Sequence, residues 1–208
     1  MRRLAIGAWI LTAVAAGLPA AASAGGRTTD EQVGVALRLT APGVGDFDAY
    51  RVGTGAEVQY RRWYGFGGFA LSVGAERWAS ARRSGNWNGE LDGHTTLFPV
   101  GASALGRWPL SEGLLLRGEA GLRLVPAASR LERRIAPDAP WESIRLRPGV
   151  IFVGAVGADQ LLTEALIVYA DVFYQHDIVK GRARTDAGRI MDHHLLGFGA
   201  RLGIQYWF

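Results

Sequence analysis

The chain has 208 residues, of which 49% are hydrophobic and 20% are charged, and its formal net charge is +4. It contains no cysteine, which excludes disulfide bonds, thiolate metal sites and a cysteine nucleophile. The length fits one domain, and the small net charge gives no support to a nucleic-acid partner.

The first residues have the three parts of a secretory signal peptide. Two arginines near the start precede an uncharged apolar run of 15 residues over 4–18. This run is shorter than the roughly 20 residues of a membrane-spanning helix. A small-residue cleavage sequence ends at Ala24. We therefore predict a signal peptide over 1–24, export across the inner membrane, and a mature domain over 25–208.

Eight segments of the mature chain alternate apolar residues with small or polar residues, which is the two-residue period of a β-strand. Their approximate bounds, in chain order, are 32–40, 55–64, 67–77, 95–108, 114–124, 145–158, 165–176 and 194–208. The sixth segment alternates poorly. Segments of about ten residues with this period are typical of transmembrane β-barrels.

The connections between the segments alternate between short and long. Short turns fall near 65–66, 109–113 and 159–164, and long connections near 41–54, 78–94, 125–144 and 177–193. Outer-membrane barrels have short periplasmic turns and long external loops. A soluble β-sandwich also has about eight strands, but it does not explain this alternation. We predict an all-β fold, an eight-stranded antiparallel up-and-down transmembrane β-barrel with both ends on the periplasmic side.

Two prolines and several aromatic residues fall near the predicted strand ends. Pro99 and Pro148 lie close to external strand starts, where a bulge or frayed pairing can absorb the missing donor. Aromatic residues at strand ends are typical of the two membrane interfaces. The predicted girdle residues are Trp63, Tyr64, Phe66, Trp108, Tyr206 and Phe208 on the periplasmic side and Trp78, Trp87, Trp141 and Tyr174 on the outer side.

The last strand runs to the final residue and carries an ordered polar, glycine and aromatic pattern. Arg201, Gly203, Tyr206 and Phe208 occupy its defined positions. The pattern resembles the C-terminal insertion signal of bacterial outer-membrane β-barrel proteins. The resemblance implies that the barrel assembly machinery and periplasmic chaperones are partners during biogenesis.

Charged residues repeat on the face of the strands opposite the apolar face. A charged residue at the bilayer midplane costs about 2–4 kcal/mol on the lipid side, so we expect these residues to point into the barrel and to pair there. The predicted interior salt-bridge network consists of Arg38, Glu57, Arg61, Glu76, Arg117, Glu119, Arg123, Asp171 and Arg201. Side chains just fill an eight-stranded barrel, so the network is expected to hold the barrel together rather than to select ions.

This arrangement resembles the small eight-stranded outer-membrane barrels of the OmpA-like and OmpX-like type over the whole mature chain. The resemblance implies a monomer in the outer membrane, in contact with membrane lipid and lipopolysaccharide. Such barrels include adhesins, membrane spacers, small channels and lipid-modifying enzymes. It therefore indicates architecture and location, and leaves the function open among these classes.

Histidines at the outer rim are the candidates for chemistry. His176, His193 and His194 have Asp177 and Asp192 as neighbours in sequence, and the 177–193 hairpin can bring His176 near His193. They can form an acid–base or metal site, or be solvated rim residues. No ligand spacing is present, and no serine follows His194 as in outer-membrane lipid A deacylases. We predict no catalytic, cofactor or metal residues.

The last three long connections contain more basic than acidic residues. Guanidinium groups bind phosphate in a planar fork, so contact with lipopolysaccharide phosphates and ordinary solvation are equally good readings of these positions. The basic residues are Arg77, Arg82, Arg83, Arg130, Arg133, Arg134, Arg145, Arg147, Lys180, Arg182, Arg184 and Arg189.

The functional prediction is a non-enzymatic integral outer-membrane β-barrel protein, without cofactor, whose surface loops serve structural or surface-contact roles. One alternative is an outer-membrane lipid-modifying enzyme with an active site at the rim. The other is a narrow channel.

Overall fold

The computed structural model of the protein describes residues 30–43, 50–80 and 90–208, except for the side chains of 191–193. The predicted signal peptide lies outside the described residues, as do the central parts of the predicted connections 41–54 and 78–94. The strands are β1 Glu31–Pro42, β2 Gly53–Tyr64, β3 Gly67–Ala79, β4 Glu90–Leu97, β5 Val100–Ser111, β6 Leu114–Val125, β7 Ala127–Arg134, β8 Glu142–Leu146, β9 Gly149–Leu161, β10 Leu166–Val179, β11 Gly181–Thr185, β12 Ile190–His193 and β13 Gly197–Trp207.

Eight of these strands close into an antiparallel barrel. Their order around it is β1, β2, β3, β5, β6, β9, β10 and β13, and β13 pairs with β1 to complete the circle. The predicted fold class, an all-β eight-stranded up-and-down barrel, is confirmed. The described residues contain no helix that is long and apolar enough to cross a membrane.

Alternation along each barrel strand separates an apolar outer surface from the interior. On β1, Leu37 is 69% exposed while its neighbour Arg38 is 2% exposed. On β13, Leu202 is 58% exposed while Arg201 is buried. Large aliphatic side chains are similarly exposed on the other barrel strands, including Leu71, Leu122, Val156 and Val172. An exposed apolar belt of this size is typical of a surface that contacts lipid.

Five short strands extend the barrel wall beyond one end and form what we call the outer sheet. Its order is β12, β11, β8, β7 and β4, and β4 pairs with the end of β3. The expectation of long loops over 78–94, 125–144 and 177–193 is therefore wrong in part. Much of each region is strand, because inward apolar residues such as Leu131 and Ile144 bury against one another there.

Prolines mark the boundary between the barrel and the outer sheet. Pro99 separates β4 from β5, Pro126 separates β6 from β7, and Pro148 separates β8 from β9. Proline has no N–H for the ladder, but its carbonyl still accepts: Gly74 N–H donates to Pro99 at 2.9 Å and Phe98 N–H to Pro126 at 2.8 Å. The wall therefore continues across the break.

The interior divides into a polar region inside the barrel and an apolar core under the outer sheet. The apolar core includes Trp78, Leu91, Leu131, Ile144 and Leu195, and it extends down to Val153 and Phe173. Strand β9 contributes buried Ile151 and Val153 to this core and exposed Phe152 to the outside. The sixth segment alternates poorly in sequence because both faces of β9 are apolar.

Two tryptophans assigned to the membrane interfaces lie inside instead. Trp63 is buried against Ala70 and Leu105 at the end of the barrel opposite the outer sheet, and Trp78 is fully buried in the apolar core. Strand alternation explains both, since each is separated by two positions from an inward charged residue, Arg61 and Glu76. Tyr64, Phe66 and Trp108 are more than half exposed, while Trp87 lies outside the described residues.

Candidate functional site

Arg201 is the centre of the polar interior. Its guanidinium donates from Nε to Asp171 at 2.8 Å, from Nη1 to Glu57 at 2.9 Å and from Nη2 to Glu119 at 2.6 Å. The three carboxylates come from three different strands, β10, β2 and β6. One side chain on β13, the strand that closes the barrel by pairing with β1, is thereby joined to strands on both sides of the interior.

Glu57 and Glu119 each accept from several arginines. Glu57 binds Arg38 at 3.2 Å and also Arg123 and Arg201. Glu119 binds Arg123 at 3.4 Å and Arg117 at 3.5 Å, besides Arg201, and accepts from the Ser103 hydroxyl at 2.9 Å. All of these charged side chains are buried. Buried charge is stable only when it is paired and hydrogen-bonded, and here both carboxylates are shared among three arginines.

Asp159 completes the network, although the sequence prediction placed it in a turn. It lies within β9, is buried, and accepts from Arg117 at 2.9 Å and from Arg61 at 3.3 Å. The nine predicted residues are five bases and four acids, and Asp159 makes the balance five to five. Asp159 lies an even number of positions from the inward residues of β9, and this spacing predicts an inward side chain. It was not predicted from the sequence because that segment alternates poorly.

Neutral amides and aromatic rings fill the space around the charged groups. Arg61 donates to Gln59 and to Gln205, each at 2.7 Å. Its guanidinium carbon lies 4.5 Å from the centre of the Tyr169 ring, and that of Arg38 lies 4.3 Å from the centre of the Phe173 ring. Such stacking satisfies the faces of the guanidinium groups that make no hydrogen bonds.

Glu76 connects the polar network to the apolar core above it. It pairs with Arg38 Nε at 3.0 Å and accepts from Trp78 Nε1 at 2.7 Å. Arg38 also donates to Gln175 at 2.6 Å. A cavity lined by Arg38, Glu76, Gln175, Leu97 and Leu195, among others, has a volume of about 10 Å³, which is about the space of one water molecule. The side chains are therefore closely packed at this junction between the polar network and the apolar core.

The four residues of the predicted insertion signal occupy different environments on β13. Arg201 is in the network. Gly203 lies beneath the Tyr169 ring, where an added Cβ would come within 2.7 Å of that ring, so the position requires glycine. Tyr206 and Phe208 are half-buried, with ring centres 6.5 Å apart in a stacked pair. Their proposed role in assembly remains a prediction.

The rim histidines do not form one cluster in the part of the chain that the structure describes. His176 faces outward and lies 3.2 Å from the Tyr174 hydroxyl. His194 lies 3.2 Å from Asp177, which also accepts from Leu195 N–H at 2.9 Å. His193 lies on β12, and its side chain is not described. Among the described residues, no group of three His, Cys, Asp or Glu side chains is arranged to hold a metal ion.

A closed eight-stranded barrel with an apolar outer belt and a filled polar interior is the architecture of the small outer-membrane barrels. No protein-family model matches the chain, and a comparison with curated proteins found no match. Solved structures do match.

The outer-membrane protein OprG from Pseudomonas aeruginosa superposes with a TM-score of 0.63 at 13% identity, over 86% of this chain and 96% of that one. The outer-membrane protein AlkL gives a TM-score of 0.55 at 15% identity, over 89% and 93% of the two chains. Neisserial surface protein A gives 0.52 at 14% identity, over 86% and 97%. The predicted recognition of a small eight-stranded outer-membrane barrel is confirmed at the level of fold.

Proposed function

We propose that the protein is a monomeric, non-enzymatic component of the outer membrane, exported with its signal peptide removed, whose sealed barrel holds the outer sheet at the cell surface for contacts. The observation that carries this proposal is the charge-balanced network around Arg201. It joins opposite walls of the barrel through buried ion pairs. Side chains committed to such pairs stabilise the wall and leave no polar path for a solute.

The outer sheet supports a role in surface contact. Its inward residues Leu131 and Ile144 belong to an apolar core that is continuous with barrel residues, so the outer sheet is a folded extension of the barrel rather than a set of flexible loops. A rigid platform presents side chains in fixed positions, which lowers the entropy lost on binding.

The first test is fractionation and gel mobility of the wild-type protein. We expect it in the outer-membrane fraction and expect its mobility to change on heating, because a closed barrel resists unfolding by detergent until it is heated. Recovery as a soluble periplasmic monomer would contradict the proposal.

A narrow channel is tested by conductance in planar bilayers. The filled interior predicts no sustained steps above those of a mock preparation. Reproducible steps from the purified wild-type protein that change in size in a Glu57→Gln variant would establish the channel alternative.

A lipid-modifying enzyme at the rim is favoured by one observation, the contact of His194 with Asp177. We assign a structural role to this contact, because the same Asp177 carboxylate also accepts from Leu195 N–H and so ties the end of β10 to the segment before β13. Replacing His176, His193 and His194 together with Gln is expected to leave outer-membrane lipid composition unchanged by mass spectrometry. A lipid change that requires the wild-type protein and disappears in the triple variant, at normal barrel levels, would establish the enzyme alternative.

A further inference from the structure

Arginine side chains form two rows across the outward face of the outer sheet. Arg145 on β8 lies directly opposite Arg184 on β11, and both are exposed. Arg147 N–H donates to the Arg182 carbonyl at 2.7 Å, which sets this pair side by side one row nearer the barrel. The β7–β8 register, extended by one residue, places Arg130 beside Arg145. We call these five residues the arginine array.

The guanidinium groups of the array have no ion pair or hydrogen bond with any described residue. Asp192 stands opposite Arg182 in the register of β12, and its side chain is not described. Like charges directly opposite each other on neighbouring strands destabilise a sheet. In the barrel interior, by contrast, all five arginines are paired. Among the described side chains, the array therefore has no counter-ion, and an anion from outside the chain would supply one.

The position of the array narrows the choice of anion. Toward the barrel, the outward face is apolar, with Phe152 on β9 and Ile178 on β10 exposed. Away from the barrel, the next outward row is acidic, with Asp92 opposite Glu132 and with Asp186 exposed at the end of β11. The basic rows thus lie between the apolar belt and an acidic row. A soluble polyanion approaching from the tip would have to pass the acidic row to reach the array.

We infer that the arginine array binds the phosphate groups of lipopolysaccharide in the outer leaflet. Phosphates of this lipid lie just above the hydrocarbon region, at the level that directly follows the apolar belt. Guanidinium groups bind phosphate with two parallel hydrogen bonds, and neighbouring arginines in a row can bind one phosphate from two sides. The inference rests on the proposed outer-membrane location.

His94 lies beside the arginine array, and its lowered pKa indicates that the arginines supply the positive charge in these rows. It lies directly opposite Arg130 on the neighbouring strand. Partial burial, together with the charges of Arg77 and Arg130, lowers the pKa of His94 below its ordinary value. The lowered pKa favours the neutral imidazole, so the guanidinium groups are the source of positive charge in these rows.

The test uses the full mature protein in phosphatidylcholine nanodiscs and measures binding of fluorescent diphosphoryl lipid A. The double variant Arg145→Gln with Arg184→Gln removes two charges from the array. Because each arginine near an anionic lipid surface adds to the attraction, loss of two of them is expected to weaken binding of lipid A about tenfold or more. Dephosphorylated lipid A is expected to bind equally poorly to the wild-type protein and to the double variant.

A matched control removes two charges elsewhere in the outer sheet. Arg134→Gln with Arg189→Gln changes residues beyond the acidic row and is expected to leave lipid A binding unchanged. Equal loss in both double variants would show a general charge effect and overturn the inference, as would unchanged binding by the array variant. Binding of a sulfated polysaccharide, but not of lipid A, through the array would assign it to a soluble polyanion instead.

Two further readouts separate the possible failures. Without lipid A, the array variant is expected to be at least as heat-stable as the wild-type protein, because it relieves repulsion between Arg145 and Arg184. A less stable variant would contradict the unpaired state of the array. A wild-type protein that does not insert into nanodiscs overturns the proposed location, whereas an inserted protein that does not bind lipid A overturns only the array.

Discussion

Glu57 shows how single residues hold the barrel together. Its carboxylate accepts from Arg38, Arg123 and Arg201, which project from three strands. Removing one partner from a buried ion network leaves the remaining charges without compensation, at a cost of about 3–5 kcal/mol. An exposed ion pair has a value of only about 0–1 kcal/mol.

We therefore expect Glu57→Gln to lower the free energy of unfolding by about 3–5 kcal/mol. The measurement is urea unfolding of the protein in lipid vesicles, followed by tryptophan fluorescence. Glu31→Gln is the matched control, because Glu31 pairs only at the barrel end, 3.4 Å from the partly exposed Arg62. Equal midpoints for the two variants would show that the network does not stabilise the barrel.

Asp159 shows how much of the network could be predicted from the sequence. Strand parity places nine charged residues inside, since each lies on a segment with clear alternation. Asp159 lies at the end of a segment whose two faces are both apolar, so parity could not be assigned there. The pairing of each arginine was also beyond the sequence, because the partners come from strands up to 144 positions apart.

The outer sheet is the element that could not be predicted from the sequence. Its strands are four to eight residues long, arginines occur on β7, β8 and β11, and prolines separate three strands from the barrel strands. Short polar segments next to a proline are typical of loops. The inward residues Leu91, Leu131 and Ile144 are the apolar positions that indicate strands here. Each of these short strands has too few such positions to show a clear two-residue period.

We expect Leu131→Ala to loosen the outer sheet alone. Truncating a buried leucine costs about 2–5 kcal/mol, so amide hydrogen exchange should accelerate in β7 and β8 and stay slow in β1 and β13. Ile135→Ala, at an exposed turn position, is the control and should change neither. Faster exchange throughout the barrel would show that the two parts unfold as one unit.

The end of β13 is the element expected to govern assembly. Tyr206 and Phe208 stack at the end of the barrel opposite the outer sheet and are partly accessible, and we expect an assembly factor to bind them before the barrel closes. Changing both to Ser is expected to reduce the amount of folded barrel in the outer membrane severalfold, measured as heat-modifiable protein.

Tyr64→Ser with Phe66→Ser is the control for that experiment. These two aromatics are also exposed at a periplasmic turn but are not part of the terminal pattern. If both double variants reach wild-type levels, the resemblance to the insertion signal has no functional meaning in this chain.

At the scale of the whole molecule, the protein is a cylinder with an apolar outer surface and a charged interior, and the arginine array lies on one side, next to the apolar belt. This order inverts that of a soluble protein, in which apolar side chains are buried and charged ones exposed. The inversion is stable only if lipid covers the belt and ion pairs fill the interior. Membrane insertion and a sealed interior are therefore two parts of one claim.

The most direct measurement of this claim is a spin-label scan of β1 in reconstituted bilayers. The chain contains no cysteine, so single Cys residues can be labelled without background. Labels at Val35, Leu37 and Leu39 are predicted to show high collision rates with oxygen, which dissolves in lipid, while labels at Ala36 and Thr40 show low rates with both oxygen and a water-soluble reagent. A uniform profile, or high access of the water-soluble reagent at Leu37 and Leu39, would contradict a sealed barrel that spans the membrane.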